Sequence, residues 1–175
     1  MSFHNEELLQ KTGVDKSLTT LGSAVGELLK RRKQTLGVAE SSAGGLINAA
    51  LVAVPGASAY YLGGCIIYTD ASRSALLGIT PQDMASMRSA SEPFAQLLAR
   101  RTREKLGATW GLSETGAAGP AGNRYGDAAG HACIAVSGPI EAVITVETGS
   151  ADREENMWTF ARKAMGLLQS CMLKV

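Results

Sequence analysis

Thr35-Leu36-Gly37-Val38-Ala39-Glu40-Ser41-Ser42-Ala43-Gly44-Gly45 is the stretch on which the reading of the fold depends. Its first five residues form a short apolar run that reads as a buried strand. Glu-Ser-Ser-Ala-Gly-Gly then turns the chain, and Leu46 to Val54 reads as an apolar helix stopped by Pro55-Gly56. A serine between a strand and a helix can point its hydroxyl outward while helix-start N–H groups surround a developing oxyanion. Ser41 is therefore the candidate nucleophile, with Glu40 and Ser42 beside it as candidate substrate contacts. Gly44 and Gly45 would let a substrate approach the backbone. A plainer reading makes Ser41 or Ser42 an N-cap and gives the glycines to packing; the turn alone does not decide.

Working outward, Leu18, Leu21, Val25, Leu28 and Leu29 recur at helical spacing, and Lys30-Arg31-Arg32-Lys33 falls where that helix should end. Cations complement the carbonyl end of a helix dipole, so in a nearly neutral chain this run reads as a helix end rather than a nucleic-acid patch. Tyr60 to Tyr68 reads as a second strand, with Gly63-Gly64 marking a bulge or a close approach. Ser72 to Leu77 is a short helix capped by Gly78, and Thr80 N-caps a further turn. Ser91-Glu92-Pro93 opens a long helix to Leu106. Thr109 to Leu112 is a strand running into a Gly-rich loop, residues 113–130. Ala132 to Val136 and Ala142 to Thr148 pair as antiparallel strands, and Asp152 to Met172 is a final amphipathic helix carrying Trp158, Ala161, Met165 and Leu168. Strands alternating with helices predict a three-layer α/β/α sandwich with a mixed central sheet, its ligand site at the carboxyl ends of the strands. Both Gly-rich segments, 40–45 and 113–130, then share one rim.

The chain has 175 residues, 45% of them hydrophobic and 19% charged, which suits a single domain over 18–175 behind a flexible or loosely docked N-terminus, residues 1–17. Seventeen basic against sixteen acidic residues leave +1, which argues against nucleic-acid and membrane-surface partners. No apolar run approaches the roughly 20 residues that cross a bilayer, and the first residues do not read as a secretory signal. A cytoplasmic protein is expected. Cys65, Cys133 and Cys171 are an odd, scattered set in apolar surroundings, expected as buried, reduced thiols. His4 and His131 are the only histidines, so the chemistry is expected to need neither a metal nor another cofactor.

The motifs around Ser41 narrow the function. Glu-Ser-Ser-Ala-Gly-Gly at 40–45, Val-Pro-Gly-Ala-Ser-Ala-Tyr at 54–60, Leu-Gly-Gly-Cys-Ile-Ile-Tyr at 62–68 and Leu-Leu-Gly-Ile at 76–79 come in close order. With Gly-Ala-Ala-Gly-Pro at 116–120 and Asp-Arg-Glu at 152–154, the chain resembles the C-terminal domain of the competence/damage-inducible protein CinA from about residue 18 onward. The resemblance implies a three-layer α/β sandwich, usually a homodimer, in the family of nicotinamide-nucleotide amidohydrolases. These convert nicotinamide mononucleotide to the nicotinic acid form, so the implied partner is a small-molecule nucleotide. Within these 175 residues the chain resembles the stand-alone form of the family, and no molybdopterin-binding-like domain of the longer relatives is expected.

That family's usual turn is Glu-Ser-Cys-Thr-Gly-Gly, with the serine as nucleophile, which the resemblance assigns to Ser41; Ser42 and Ala43 replace the Cys and Thr. Its second motif, Tyr-Ser-Asn-Glu-Ala-Lys, reads here Tyr68-Thr69-Asp70-Ala71-Ser72-Arg73. Tyr68 matches, whereas Arg73 stands at the lysine that assists the serine. A desolvated lysine can shed its proton near neutrality and act as a base, but arginine stays charged. Arg73 is thus limited to stabilising an oxyanion or gripping a phosphate, and the base would have to be another group: Tyr68, Asp70, Glu40 or the distant His131. The third motif appears as Thr115-Gly116-Ala117-Ala118-Gly119-Pro120, implying that Thr115 and Gly116 line the pocket. It is preceded by Ser113-Glu114, where the family is usually apolar. Arg124 is a candidate phosphate or carboxylate contact. Arg153 aligns with a family arginine near the substrate, or is a solvated ion pair at a helix start.

Overall fold

β1 (Leu36–Glu40) is an interior strand of the sheet and is buried at all five positions. A strand covered by helices on both faces must be apolar on both, and Val38 and Ala39 point into different cores. The computed structural model describes residues 16–175, and side chains from Leu18 onward. The N-terminal expectation over 1–17 therefore lies outside the described residues, except that Lys16 and Ser17 begin the first helix, α1 (Lys16–Arg32).

After β1 the chain runs through α2 (Leu46–Val52), a short 3-10 turn at Ala57–Ala59 and β2 (Tyr61–Ile66). α3 (Asp70–Leu77) and α4 (Glu92–Leu106) lead to β3 (Trp110–Ala117), β4 (His131–Ser137), β5 (Ala142–Glu147) and α5 (Arg153–Met172). The strand order is β2-β1-β3-β4-β5. β1 pairs in parallel with β2 and β3, and β4 is antiparallel to both β3 and β5, so the sheet is mixed as expected.

Two helix layers cover it. On one face Val25, Leu29, Ile47, Leu51, Phe160, Met165 and Leu168 from α1, α2 and α5 pack against Val38, Leu112 and Ile134. On the other, Phe94 and Leu98 of α4 meet Ala39, Ile67, Leu77 and Ile79, while Ala95 and Ala99 of α4 meet Cys133 and Ala135. Each large apolar side chain buried in these cores stabilises the fold by about 1.5–3 kcal/mol. The basic run at the end of α1 serves the fold. Arg32 donates to the Met172 carbonyl at the far end of α5, and Lys30 pairs with Glu27.

The elements match the sequence reading with local differences. β3 does not stop at Leu112 but continues to Ala117, because β4 pairs with it as far as Ala117↔His131. Thr115 and Gly116 are therefore strand residues rather than loop residues. β2 ends at Ile66, leaving Tyr68 beyond the strand. The glycine pair marks both expected features: the register slips between Leu36 and Gly37, and a Cβ on Gly64 would lie 1.8 Å from Asn48 Oδ1. Thr69 begins α3 two residues earlier than predicted by accepting from Ser72 N–H at 3.1 Å. Thr80 caps the expected turn by accepting from Asp83 N–H at 3.2 Å, and the chain continues in successive turns over 81–86 without becoming a regular helix. All three cysteines are free; Cys133 and Cys171 are buried, while Cys65 is only half-buried on the edge strand β2.

Candidate active site at the Ser41 turn

Because β1, β2 and β3 run in parallel, their carboxyl ends meet on one rim, bringing together Glu40–Ser41, Ile67–Tyr68 and Thr115–Gly116. Two buried carboxylates support the turn from beneath. Glu40 accepts from the N–H groups of Ile47 (3.2 Å) and Asn48 (2.9 Å), and so caps α2 from inside. Asn48 Nδ2 also donates to Glu40, and Tyr61 O–H donates to Asn48 Oδ1. Burial raises the Glu40 pKa, against the pull of the amide N–H groups. Burial and the Glu40 charge push the Tyr61 phenol up to about 12.

Glu114, in the middle of β3, is fully buried and gathers the next part of the turn. Its Oε2 accepts from Ser41 N–H at 3.1 Å and Ala43 N–H at 2.8 Å, and its Oε1 accepts from the Ser42 hydroxyl. Burial lifts its pKa to about 7 against these donors, and the neighbouring Glu40 charge adds to the rise. Two amides expected to face an oxyanion are thus turned inward onto a carboxylate. Gly44 (φ 67°) and Gly45 (φ 106°) complete the turn in left-handed conformations that favour glycine. A Cβ on Gly44 would sit 2.8 Å from Met157 Cε, and one on Gly45 3.2 Å from Ile66 Cδ1. Glu40, Gly44 and Gly45 are therefore built into the turn's support, and none of the three lines the cleft above it.

That cleft, about 330 Å³, is walled by Ser41, Tyr68, Arg73, Thr115 and Gly116, together with Asp70, Ser89, Asn123, Arg124 and Tyr125. The Ser41 hydroxyl has no hydrogen-bond partner among the described residues. Arg73 lies 5.6 Å over the Phe94 ring, donates weakly to Ser89 Oγ at 3.4 Å and pairs with Asp70 at 3.3 Å. Its Nε is buried without a partner. A smaller adjoining cleft is lined by Ser42, Tyr68, Gly116, Gly119, Asn123 and Arg153. There Arg153 donates to the Tyr68 hydroxyl at 2.8 Å and to the Gly119 carbonyl at 2.6 Å, so it ties Tyr68 to the end of β3 and is no solvated ion pair.

Arg124 and Tyr125 stand on a braced loop. Asn123 Oδ1 accepts from the N–H groups of Tyr125 (2.9 Å) and Asp127 (3.2 Å), and Arg88 grips Asp127 bidentately at 2.5 and 2.9 Å. That guanidinium holds the Asp127 carboxyl below its ordinary pKa. The Arg124 guanidinium lies 5.0 Å over the Tyr125 ring and donates to its hydroxyl. His131 stands apart from the cleft, with Nδ1 on Glu147 at 2.5 Å and Nε2 on the Ala90 carbonyl at 2.9 Å. Burial opposes its charging, but these bonds prevail and raise its pKa. Neither ring nitrogen is free to serve Ser41.

Sequence reasoning brought Ser41, Tyr68, Arg73, Thr115 and Gly116 to one cleft, with Ser42 and Arg153 in the adjoining one. It did not place Glu114 in the site, although Ser113-Glu114 stood out as polar where the family is usually apolar, and it missed Ser89, which has no local signal.

The family model described as the CinA C-terminal domain matches residues 18–172. A CinA-like protein of Gloeothece citriformis is 40% identical over 138 residues, which are 77% of this chain and 33% of that protein. One of Prochlorococcus marinus is 42% identical over 120 residues, 69% of this chain and 28% of that protein. The chain thus spans about a third of the length of these curated relatives. Among solved structures, a CinA superfamily protein of Klebsiella pneumoniae superposes with a TM-score of 0.84 at 25% identity, covering 90% of this chain and 99% of that one. One from Escherichia coli gives 0.82 at 25% identity, covering 92% and 93%.

Proposed function

The chain belongs to the CinA C-terminal domain family, and from that premise we propose that it is an amidohydrolase of the nicotinamide-nucleotide type. It would hydrolyse the amide of nicotinamide mononucleotide to nicotinic acid mononucleotide and ammonia. The observation that carries this reading is that Ser41, Tyr68, Arg73, Thr115 and Gly116, drawn from three separate sequence motifs, wall one cleft.

In this reading the Ser41 oxygen attacks the carboxamide carbon and the carbonyl electrons move onto its oxygen. The tetrahedral intermediate then expels ammonia, its nitrogen taking up the proton that Ser41 gave up, and leaves an ester on Ser41, which water cleaves to the acid. Arg73 supplies charge to the oxyanion or to the phosphate of the nucleotide, and Arg153 holds the Tyr68 hydroxyl over the cleft. The active unit is proposed to be a cytoplasmic homodimer, acting on a small nucleotide rather than on nucleic acid or a membrane. Among the described residues no helix is long and apolar enough to cross a bilayer.

A second reading is favoured by one observation: Arg73 occupies the position of the assisting lysine, and no acceptor touches the Ser41 hydroxyl. The cleft would then hold a nucleotide without turning it over, or serve a different amide. The test is ammonia release from nicotinamide mononucleotide by the purified protein, beside calorimetry of binding. Release above a buffer blank supports the enzyme. Tight binding without release supports the binding module.

A further inference from the structure

We infer that Glu114, acting through the Ser42 hydroxyl, is the proton acceptor that Arg73 cannot be. The inference rests on the amidase reading of the cleft and supplies its missing base.

The geometry is specific. Glu114 is fully buried and lines neither of these two clefts. Ser42 is nearly buried, yet it forms part of the wall of the smaller cleft, where Tyr68 and Arg153 meet. Its hydroxyl hydrogen is committed to Glu114 Oε1, so its lone pairs remain to accept a proton. Ser42 is thus the polar link between a sealed carboxylate and the smaller cleft, which shares Tyr68, Gly116 and Asn123 with the cleft of Ser41. The two amides on Oε2 stay bonded whether or not Oε1 carries a proton, so the turn keeps its shape through the transfer.

The step balances without any added reagent. As Ser41 attacks, the proton released in the cleft binds Ser42 Oγ, while the hydrogen already on Ser42 moves along its hydrogen bond to Glu114 Oε1. The carboxylate becomes a carboxylic acid and Ser42 remains a neutral hydroxyl. When the intermediate collapses the two transfers reverse, and the departing nitrogen leaves as ammonia. A base works best with a pKa near the operating pH, and burial has lifted Glu114 to that range. The charged group facing it is Glu40, at the end of β1. At the turn, α2 presents Asn48 and α5 presents Met157, both uncharged. One cation, Arg153, shares the small cleft with Ser42, and its guanidinium is engaged with the Tyr68 hydroxyl and the Gly119 carbonyl.

The test joins kinetics to a direct titration. Carboxyl-carbon NMR of 13C-glutamate-labelled protein, with Glu114 assigned by the signal lost in Glu114→Gln, gives its titration midpoint. The kcat/KM for nicotinamide mononucleotide against pH gives the acid limb of the reaction. The two midpoints are expected to coincide near 7. Ser42→Ala is expected to lower kcat about 100-fold with little change in KM, and to move the Glu114 midpoint upward by removing a donor to the charged form. Glu114→Gln keeps an oxygen for the two amides, so it should fold normally, lose a similar factor in kcat and lose the acid limb. Wild-type kcat in Ser42→Ala, or an acid limb that survives in Glu114→Gln, overturns the relay and leaves the amidase reading standing. No ammonia from the wild-type protein overturns the amidase reading, and the relay falls with it.

Discussion

The two sides of the cleft are built in opposite ways. The Ser41 turn is held from below by two buried carboxylates, with four backbone N–H groups directed onto Glu40 and Glu114. The facing wall, Tyr68 to Arg73 with Asn123 to Asp127, is more exposed and sets Arg73 and Arg124 among the acids Asp70 and Asp127. Its guanidiniums lie over aromatic rings, and Arg73 keeps a buried, unpartnered Nε. A nucleophile has to be placed within a fraction of an ångström, which favours rigid, saturated hydrogen bonding. A wall that meets a mobile anion gains from charges not yet neutralised by protein partners. One side is made for position and the other for charge.

The expected losses follow that division. Removing the positioned hydroxyl should break the site outright: Ser41→Ala is expected to cut ammonia release by at least about 10³-fold with unchanged nucleotide affinity, measured by coupled assay and calorimetry. If instead the loss appears in affinity alone, the turn belongs to binding rather than chemistry.

The positional side should also carry a signature in stability. Glu114 binds its proton more tightly folded, near 7, than unfolded, near the model value of 4.5. Between these values the native state holds a proton that the unfolded chain has released, so the contribution is complete below 4.5 and lost as pH rises through 7. Wild type relative to Glu114→Gln should therefore lose on the order of 3 kcal/mol across that window, by denaturant melts at several pH values. An equal stability difference at every pH would detach Glu114 from this titration.

Smaller effects should come from the charged wall. Arg73→Lys is expected to lower kcat/KM about tenfold, since lysine keeps a charge but loses the planar fork. A large gain in rate would mean that the site lacks a base, against the Ser42–Glu114 relay. Arg124→Ala should raise KM by about tenfold or less with kcat unchanged, and the effect should shrink at high salt because this arginine is exposed.

Much of the fold was legible because the strong signals were local. The apolar run 35–39, the Gly78 stop and the Ser91-Glu92-Pro93 start each act within a few residues. β3 was read five residues short because its extension depends on pairing with β4, and Gly116 in isolation looks like a loop residue. The site was legible where it followed the motifs, at Ser41, Tyr68, Arg73 and Thr115. Glu114 was visible only as an anomaly, because its meaning lies in contacts 71 to 73 residues away in the chain. Glu40 looked like part of the cleft from its place beside Ser41. Strand alternation turns it to the opposite side, where it caps α2.

The central claim is that Ser41, and not its neighbour Ser42, becomes acylated. Acid quenching during turnover of nicotinamide mononucleotide, followed by peptide mass spectrometry, tests it directly. The expected result is a nicotinoyl-nucleotide ester on Ser41, absent in Ser41→Ala and enriched at low pH, where deacylation slows. An ester on Ser42, or sustained ammonia release with Ser41 replaced, would contradict it.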